Sequence, residues 1–150
     1  MPHLKIYIHF VWSTKVRHPY LESKELRLKV WCHMKENAVK NGIFIDFVNG
    51  YSEHCHCLIS LKADQSIQKI MQLIKGESAR WINKNSLSKL KFEWQDEYWG
   101  TSVSPYAIPI VRNYIKNQEE HHAKNPDFKK ELEDYKKQNN FTCYNSKSSS

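Results

Sequence analysis

Between residues 4 and 12 apolar side chains fall on every second position. Leu4, Ile6, Ile8, Phe10 and Trp12 share one face, and Tyr7 and His9 lie on the other. A period of two predicts a strand. A basic loop, STKVRHP, covers residues 13–19. From Ser23 the period becomes helical, with Leu26, Val30, Met34 and Ala38 on one stripe, and Asn41-Gly42 supplies a helix stop. Residues 43–48, IFIDFV, predict a second strand. Asn49-Gly50 then reads as a hairpin turn of the type that tolerates positive φ. The turn leads into residues 53–61, EHCHCLISL, a third strand expected to run antiparallel to the second. Ser66 caps another helix, striped by Ile67, Ile70, Met71 and Ile74. Residues 89–99, dense in Phe92, Trp94, Tyr98 and Trp99, predict a short strand, and residues 101–104 another. A helix follows from about residue 105 to 122, with Pro109 near its start. Beyond Asn125-Pro126, the residues Phe128, Leu132 and Tyr135 outline a last amphipathic helix. The polar, serine-rich tail over 141–150 is expected to fray. No repeat or linker divides the chain, so residues 1–140 read as one domain.

Composition narrows the class. The 150 residues are 40% hydrophobic and 26% charged, ordinary for a globular protein. No apolar run approaches the length needed to cross a membrane. The N-terminus lacks the shape of a secretory signal, so a cytoplasmic location is expected. There the four cysteines, Cys32, Cys55, Cys57 and Cys143, should remain thiols. The net charge of +7 implies attraction to polyanions, nucleic acid first among them.

The chemistry concentrates on the third strand. Alternation puts His54, His56, Leu58 and Ser60 on one face and Cys55, Cys57, Ile59 and Leu61 on the other. The second face reads as core. The first aims two imidazoles the same way, which gives a metal two nitrogen ligands from one rigid element. Taken alone, the pair reads equally well as two partly buried histidines. A zinc site shared with the cysteines is disfavoured, because thiols and imidazoles point to opposite faces. In the helix after residue 104, Tyr114 and Gln118 are four apart and share a face. A tyrosine hydroxyl is a competent covalent nucleophile once activated, and a glutamine oxygen is an acceptable neutral ligand. His54, His56 and Gln118 would form a site with open positions for phosphate oxygens. Tyr98 and Tyr106 are the competing tyrosines. Lys15, Arg17, Lys75, Arg80 and Lys84, with Trp81, Trp94 and Trp99, suit a single-stranded nucleic acid, since aromatics stack bases while cations track phosphates. The same charges also suit a plain solvated surface. His9 reads as a core histidine or a phosphate contact, and His121-His122 as a solvated helix end.

These pieces, in this order, resemble the single-tyrosine transposases of the insertion sequence 200/605 group, in the HUH endonuclease superfamily, including those associated with repetitive extragenic palindromes. HFVWSTKVRHPYL resembles the family's opening strand and basic loop. EHCHCLISL resembles its HUH strand, with Cys55 where a bulky aliphatic is usual. SIQKIMQLIKGESARWI is similar to the following helix, FEWQDEYWGTSVS to the aromatic strand pair, and VRNYIKNQEEHH to the tyrosine helix. The resemblance implies an α+β domain with a ferredoxin-like antiparallel sheet and helices mainly on one face. It implies a transposase that cuts and rejoins single-stranded DNA beside a hairpin. Tyr114 would form a 5′-phosphotyrosine intermediate, and His54, His56 and Gln118 would hold a divalent cation, Mg²⁺ or Mn²⁺. It implies a homodimer, commonly with the tyrosine helix of one subunit completing the other's site. The rival readings are a non-catalytic nucleic-acid-binding regulator on the same fold and a metal-dependent nuclease that uses water.

Overall fold

The structure, a computed structural model, describes residues 3–118. In chain order the elements are β1 (Ile6–Ser13), α1 (Lys24–Lys40), β2 (Phe44–Gly50), β3 (His54–Leu61), α2 (Ile67–Lys84), β4 (Trp99–Val103) and α3 (Ile108–Lys116). Single 3-10 turns at Lys15–Arg17 and Pro105–Ala107 precede α1 and α3. The four strands form one antiparallel sheet in the order β2-β3-β1-β4. Through β4 this is the β-α-β-β-α-β ferredoxin-like arrangement, and α3 is an addition to it. The predicted helix at residues 123–138, His121-His122, Cys143 and the tail lie outside the described residues.

Alternation along the strands feeds two separate apolar layers. Ile8, Phe10, Trp12, Cys55, Cys57 and Ile59 pack with Val30, Trp31 and Met34 of α1 and Ile70, Met71, Ile74 and Ile82 of α2. The opposite sheet face carries a smaller cluster, in which Phe47 and Leu58 meet Ile108, Val111, Tyr114 and Ile115 of α3. Both faces of β3 are therefore buried, the histidine face included. Side-chain caps start the two long helices where the sequence placed them. Ser23 Oγ accepts from the Leu26 N–H, and Ser66 Oγ from the Lys69 N–H, both at 3.0 Å. Gly42 closes α1 at φ +70°, a conformation that costs other residues a steric penalty.

Two expected elements differ. Asn49 and Gly50 are not a turn: they pair with His56 and Cys55 as the last residues of β2. Tyr51, Ser52 and Glu53 make the connection, and the Tyr51 N–H donates to the His54 carbonyl at 3.0 Å. Residues 89–98 do not form a strand, apart from an isolated bridge between Trp94 and Thr14. Phe92 and Trp94 are buried because both pack into the larger core, and around Trp94 the chain meets the end of β1 through two backbone bonds, from the Lys15 N–H to the Glu93 carbonyl at 3.0 Å and from the Gln95 N–H to the Ser13 carbonyl at 2.9 Å. Beyond that bridge, side chains of α2 take up the segment's backbone groups. Asn83 bonds both the N–H and the carbonyl of Phe92, at 2.7 and 3.0 Å, and Lys75 Nζ donates to the carbonyls of Gln95 and Asp96 at 2.6 and 2.9 Å. Only from Trp99 does the chain join the sheet, against β1.

Candidate active site

β3 supplies His54 and His56, and the pleat turns both toward α3. Glu53 Oε1 accepts from His54 Nδ1 at 2.9 Å, which leaves Nε2 to face inward. Nε2 lies 3.0 Å from Oε1 of Gln118. The Gln118 amide is oriented by its own nitrogen, which donates to the Tyr114 carbonyl at 3.2 Å. Both His54 nitrogens thus face acceptor oxygens. Something positive, a proton or a cation, must stand between Nε2 and the amide oxygen for that contact to be attractive. In an octahedral shell with bonds of about 2.1 Å, adjacent ligand atoms lie about 3 Å apart. The 3.0 Å contact is that of a hydrogen bond and equally that of two adjacent ligands, so His54 and Gln118, with His56 beside them, are the residues that could hold a divalent cation. Among the described residues no group of three His, Cys, Asp or Glu could hold a metal ion, so a three-ligand site here would need the amide.

His56 is oriented by a residue whose role the sequence left open. His9 lies opposite Leu58 across the β1–β3 ladder, and so sits diagonal to His56 on the same face. Its Nε2 is 2.9 Å from His56 Nδ1. Burial holds the His9 ring neutral, its pKa pushed down to about 4. A neutral His9 that accepts the Nδ1 proton of His56 leaves His56 Nε2 as the nitrogen that could bind a metal. Glu53 does the same for His54. Such partners of ligating histidines fix both tautomer and ring direction. The available signals were Glu53 preceding the pair in sequence and His9 lying on the non-core face of β1. Neither named a partner.

α3 brings Tyr114 to the same place. Its ring centroid is 5.3 Å from that of His56 and 6.0 Å from that of His9, in edge-on contacts. Tyr114 and Gln118 are both fully buried. The competing tyrosines are elsewhere. Tyr106 is 93% exposed in the turn before α3, and Tyr98 packs edge-on against Phe10 in the other layer. Cys55 and Cys57 face the α1–α2 layer, and burial pushes both thiols well up, which makes them inert.

Residues 3–118 match the family described as IS200-like transposases. The chain belongs to that family. It is 25% identical over 115 residues to the ISDra2 transposase TnpA of Deinococcus radiodurans, spanning 73% of this chain and 81% of that one. The fold is shared with a crystal structure from Deinococcus radiodurans R1, described as a transposase (TM-score 0.63, 24% identity, 78% and 93% covered). It is also shared with a REP-associated tyrosine transposase bound to a REP hairpin (TM-score 0.61, 17% identity, 81% and 72% covered).

In this IS200-like transposase the predicted basic residues do not form one patch. Arg17 approaches the site, with Nη2 3.6 Å from Glu53 Oε1, and Lys15 lies nearby beside Glu93 at 3.8 Å. Lys75, Arg80 and Lys84 belong to α2, in the layer on the other side of the sheet from the histidines. Lys75 is committed to backbone carbonyls, and Arg80 lies 3.8 Å from Glu77. The aromatics separate too: Trp94 is core, Trp81 stacks on His33 at 3.8 Å, and only Trp99 is largely exposed. No helix among the described residues is long and apolar enough to cross a membrane.

Proposed function

We propose that this transposase cuts and rejoins single-stranded DNA next to a hairpin, with Tyr114 as nucleophile. One observation carries the reading: α3 sets Gln118 Oε1 3.0 Å from His54 Nε2 and, one turn earlier, the Tyr114 ring beside His56. A phosphate bound at the imidazoles would therefore lie next to the phenol. The Tyr114 oxygen attacks phosphorus, the P–O3′ bond breaks, and a free 3′-hydroxyl leaves. The 5′-phosphotyrosine ester keeps the bond energy, so another 3′-hydroxyl can reverse the step without ATP. A phenol has an ordinary pKa of about 10 and must shed its proton as it attacks. A divalent cation, Mg²⁺ or Mn²⁺, held by His54, His56 and Gln118 would supply Lewis-acid polarisation of the phosphate. Two imidazoles favour Mn²⁺. Because Tyr114 is buried, DNA must displace what covers it before attack. Homodimers would bring two tyrosines to the two ends of a mobile element. The hairpin follows the DNA seen with the REP-associated relative.

The test is a denaturing gel with labelled hairpin DNA carrying a single-stranded flank. Wild type should yield an adduct that survives boiling in detergent, lost in EDTA and restored by Mn²⁺. Tyr114→Phe should bind the DNA and form none, while Tyr98→Phe and Tyr106→Phe should still form it. An adduct from Tyr114→Phe, with either of the others inactive, would move the nucleophile.

A further inference from the structure

What holds α3 over the histidines is β2, through two residues that the strand pattern alone does not explain. The β2–β3 ladder slips at one point: Ile45 pairs with Ile59, and Phe47 with Leu58, so Asp46 is an extra residue. Such a bulge re-aims the chain. It sends Phe47 to the α3 layer and returns Val48 to the other core. It also lets Asp46 serve both layers. Its carbonyl accepts from Lys35 Nζ of α1 at 3.2 Å, while its carboxylate takes both Nε and Nη2 of Arg112 on α3 at 2.7 Å. The Asp46 side chain is 5% exposed and that of Arg112 is 44% exposed. The second attachment is Asn49, the cross-strand partner of His56. Its Nδ2 donates to the carbonyls of Ile115 and Lys116 at 2.9 and 3.0 Å. These belong to the last turn of α3, where carbonyls lack partners within the helix.

We propose that Asp46 and Asn49 form a two-point clasp that sets the seat of α3, making Asp46, Asn49 and Arg112 positioning residues for Tyr114. The proposal rests on Tyr114 being the nucleophile. Apolar contacts from Ile108, Val111 and Ile115 hold the helix down but are non-directional. One residue of slip rotates a helix by about 100°, which would carry Tyr114 and Gln118 away from the histidines together. A bidentate Arg–carboxylate pair fixes orientation, and Asn49 fixes the end of the helix at the level of His56. DNA that displaces α3 to reach the phenol leaves the clasp as the seat to which the helix returns. The clasp reads the same whether α3 covers its own sheet or that of a partner subunit.

Two measurements on the full chain test this: hydrogen exchange of the α3 amides, and single-turnover adduct formation at saturating hairpin DNA. Arg112→Ala and Asn49→Ala should each speed exchange across residues 108–116 while β1 and β3 stay protected. Each should slow adduct formation at least tenfold, with Kd for DNA changed less than twofold. Arg112→Lys keeps the charge but not the fork, and should recover only part of the rate. Asn49→Ala strands no buried charge, so it remains informative if Arg112→Ala misfolds. Unchanged α3 exchange would overturn the clasp. Adduct formation that is unchanged or faster, or a loss confined to Kd, would overturn its positioning role. A wild-type protein that forms no adduct defeats the nucleophile, and the catalytic meaning of the clasp with it, whereas exchange reads the seat independently of chemistry.

Discussion

His9 shows how a single side chain sets the properties of its neighbour. Its ring is kept neutral by burial, with a pKa of about 4 against the usual 6.5. Between those values the unfolded chain takes up a proton that the folded one refuses. Its contribution to stability is therefore complete above about pH 6.5 and declines as the pH falls toward 4. Denaturant midpoints measured at pH 7, 5.5 and 4.5 should fall for wild type and fall less for His9→Gln. Equal declines would place the titration elsewhere. The same ring should matter for metal. His9→Ala frees His56 to turn, and loss of such a partner typically costs about 10–100-fold in affinity. Calorimetric titration with Mn²⁺ should show that loss; unchanged binding would remove His9 from the site.

At the scale of elements, two glycines predict opposite outcomes. Gly76 lies within α2, and a Cβ there would meet nothing within 4 Å. Gly76→Ala should stabilise the protein by about 0.5–1 kcal/mol, the usual gain from replacing glycine in an open helix position. Gly100 lies opposite Phe10 where β4 pairs with β1. A Cβ there would stand 3.1 Å from Phe10 Cε1 and 3.3 Å from Ile8 Cγ2. The Phe10 ring is itself buried and packed against Tyr98. Gly100→Ala should therefore cost about 1 kcal/mol or more by overpacking. Thermal melts of both variants check the pair, and a stabilised Gly100→Ala would mean that β4 has room to shift.

For the whole molecule, charge governs encounter and the site governs outcome. A net charge of +7 should make DNA binding fall steeply with salt, linearly in log Kd against log salt concentration. Arg17, beside Glu53, is the predicted cation nearest the site. Arg17→Ala should weaken binding and lower the salt slope by roughly one unit, about what one lost phosphate contact removes. Arg80→Ala, on the far layer, should do so less. Titrations at several salt concentrations distinguish the two, and equal effects would show that DNA also wraps the α2 face.

What the sequence determined by itself was local. Period two along residues 53–61 assigned His54 and His56 to one face and the cysteines to the other. The four-residue spacing of Tyr114 and Gln118 put them on one side of a helix. Caps at Ser23, Ser66 and Gly42 marked helix ends, because each acts within a few residues of chain. Tertiary structure decided what depends on contacts distant in sequence. It laid α3 on the otherwise open sheet face, burying Tyr114 and Gln118 against His54 and His56. It brought His9 to His56 across 47 residues of sequence. It limited residues 89–98 to a single bridge against the end of β1, because α2 side chains took up backbone groups on either side of Trp94. It also turned Asn49 from an expected turn residue into the cap of a helix 66 residues away. A turn needs only its own four residues, but a strand end beside a docked helix exists only once the layers have packed.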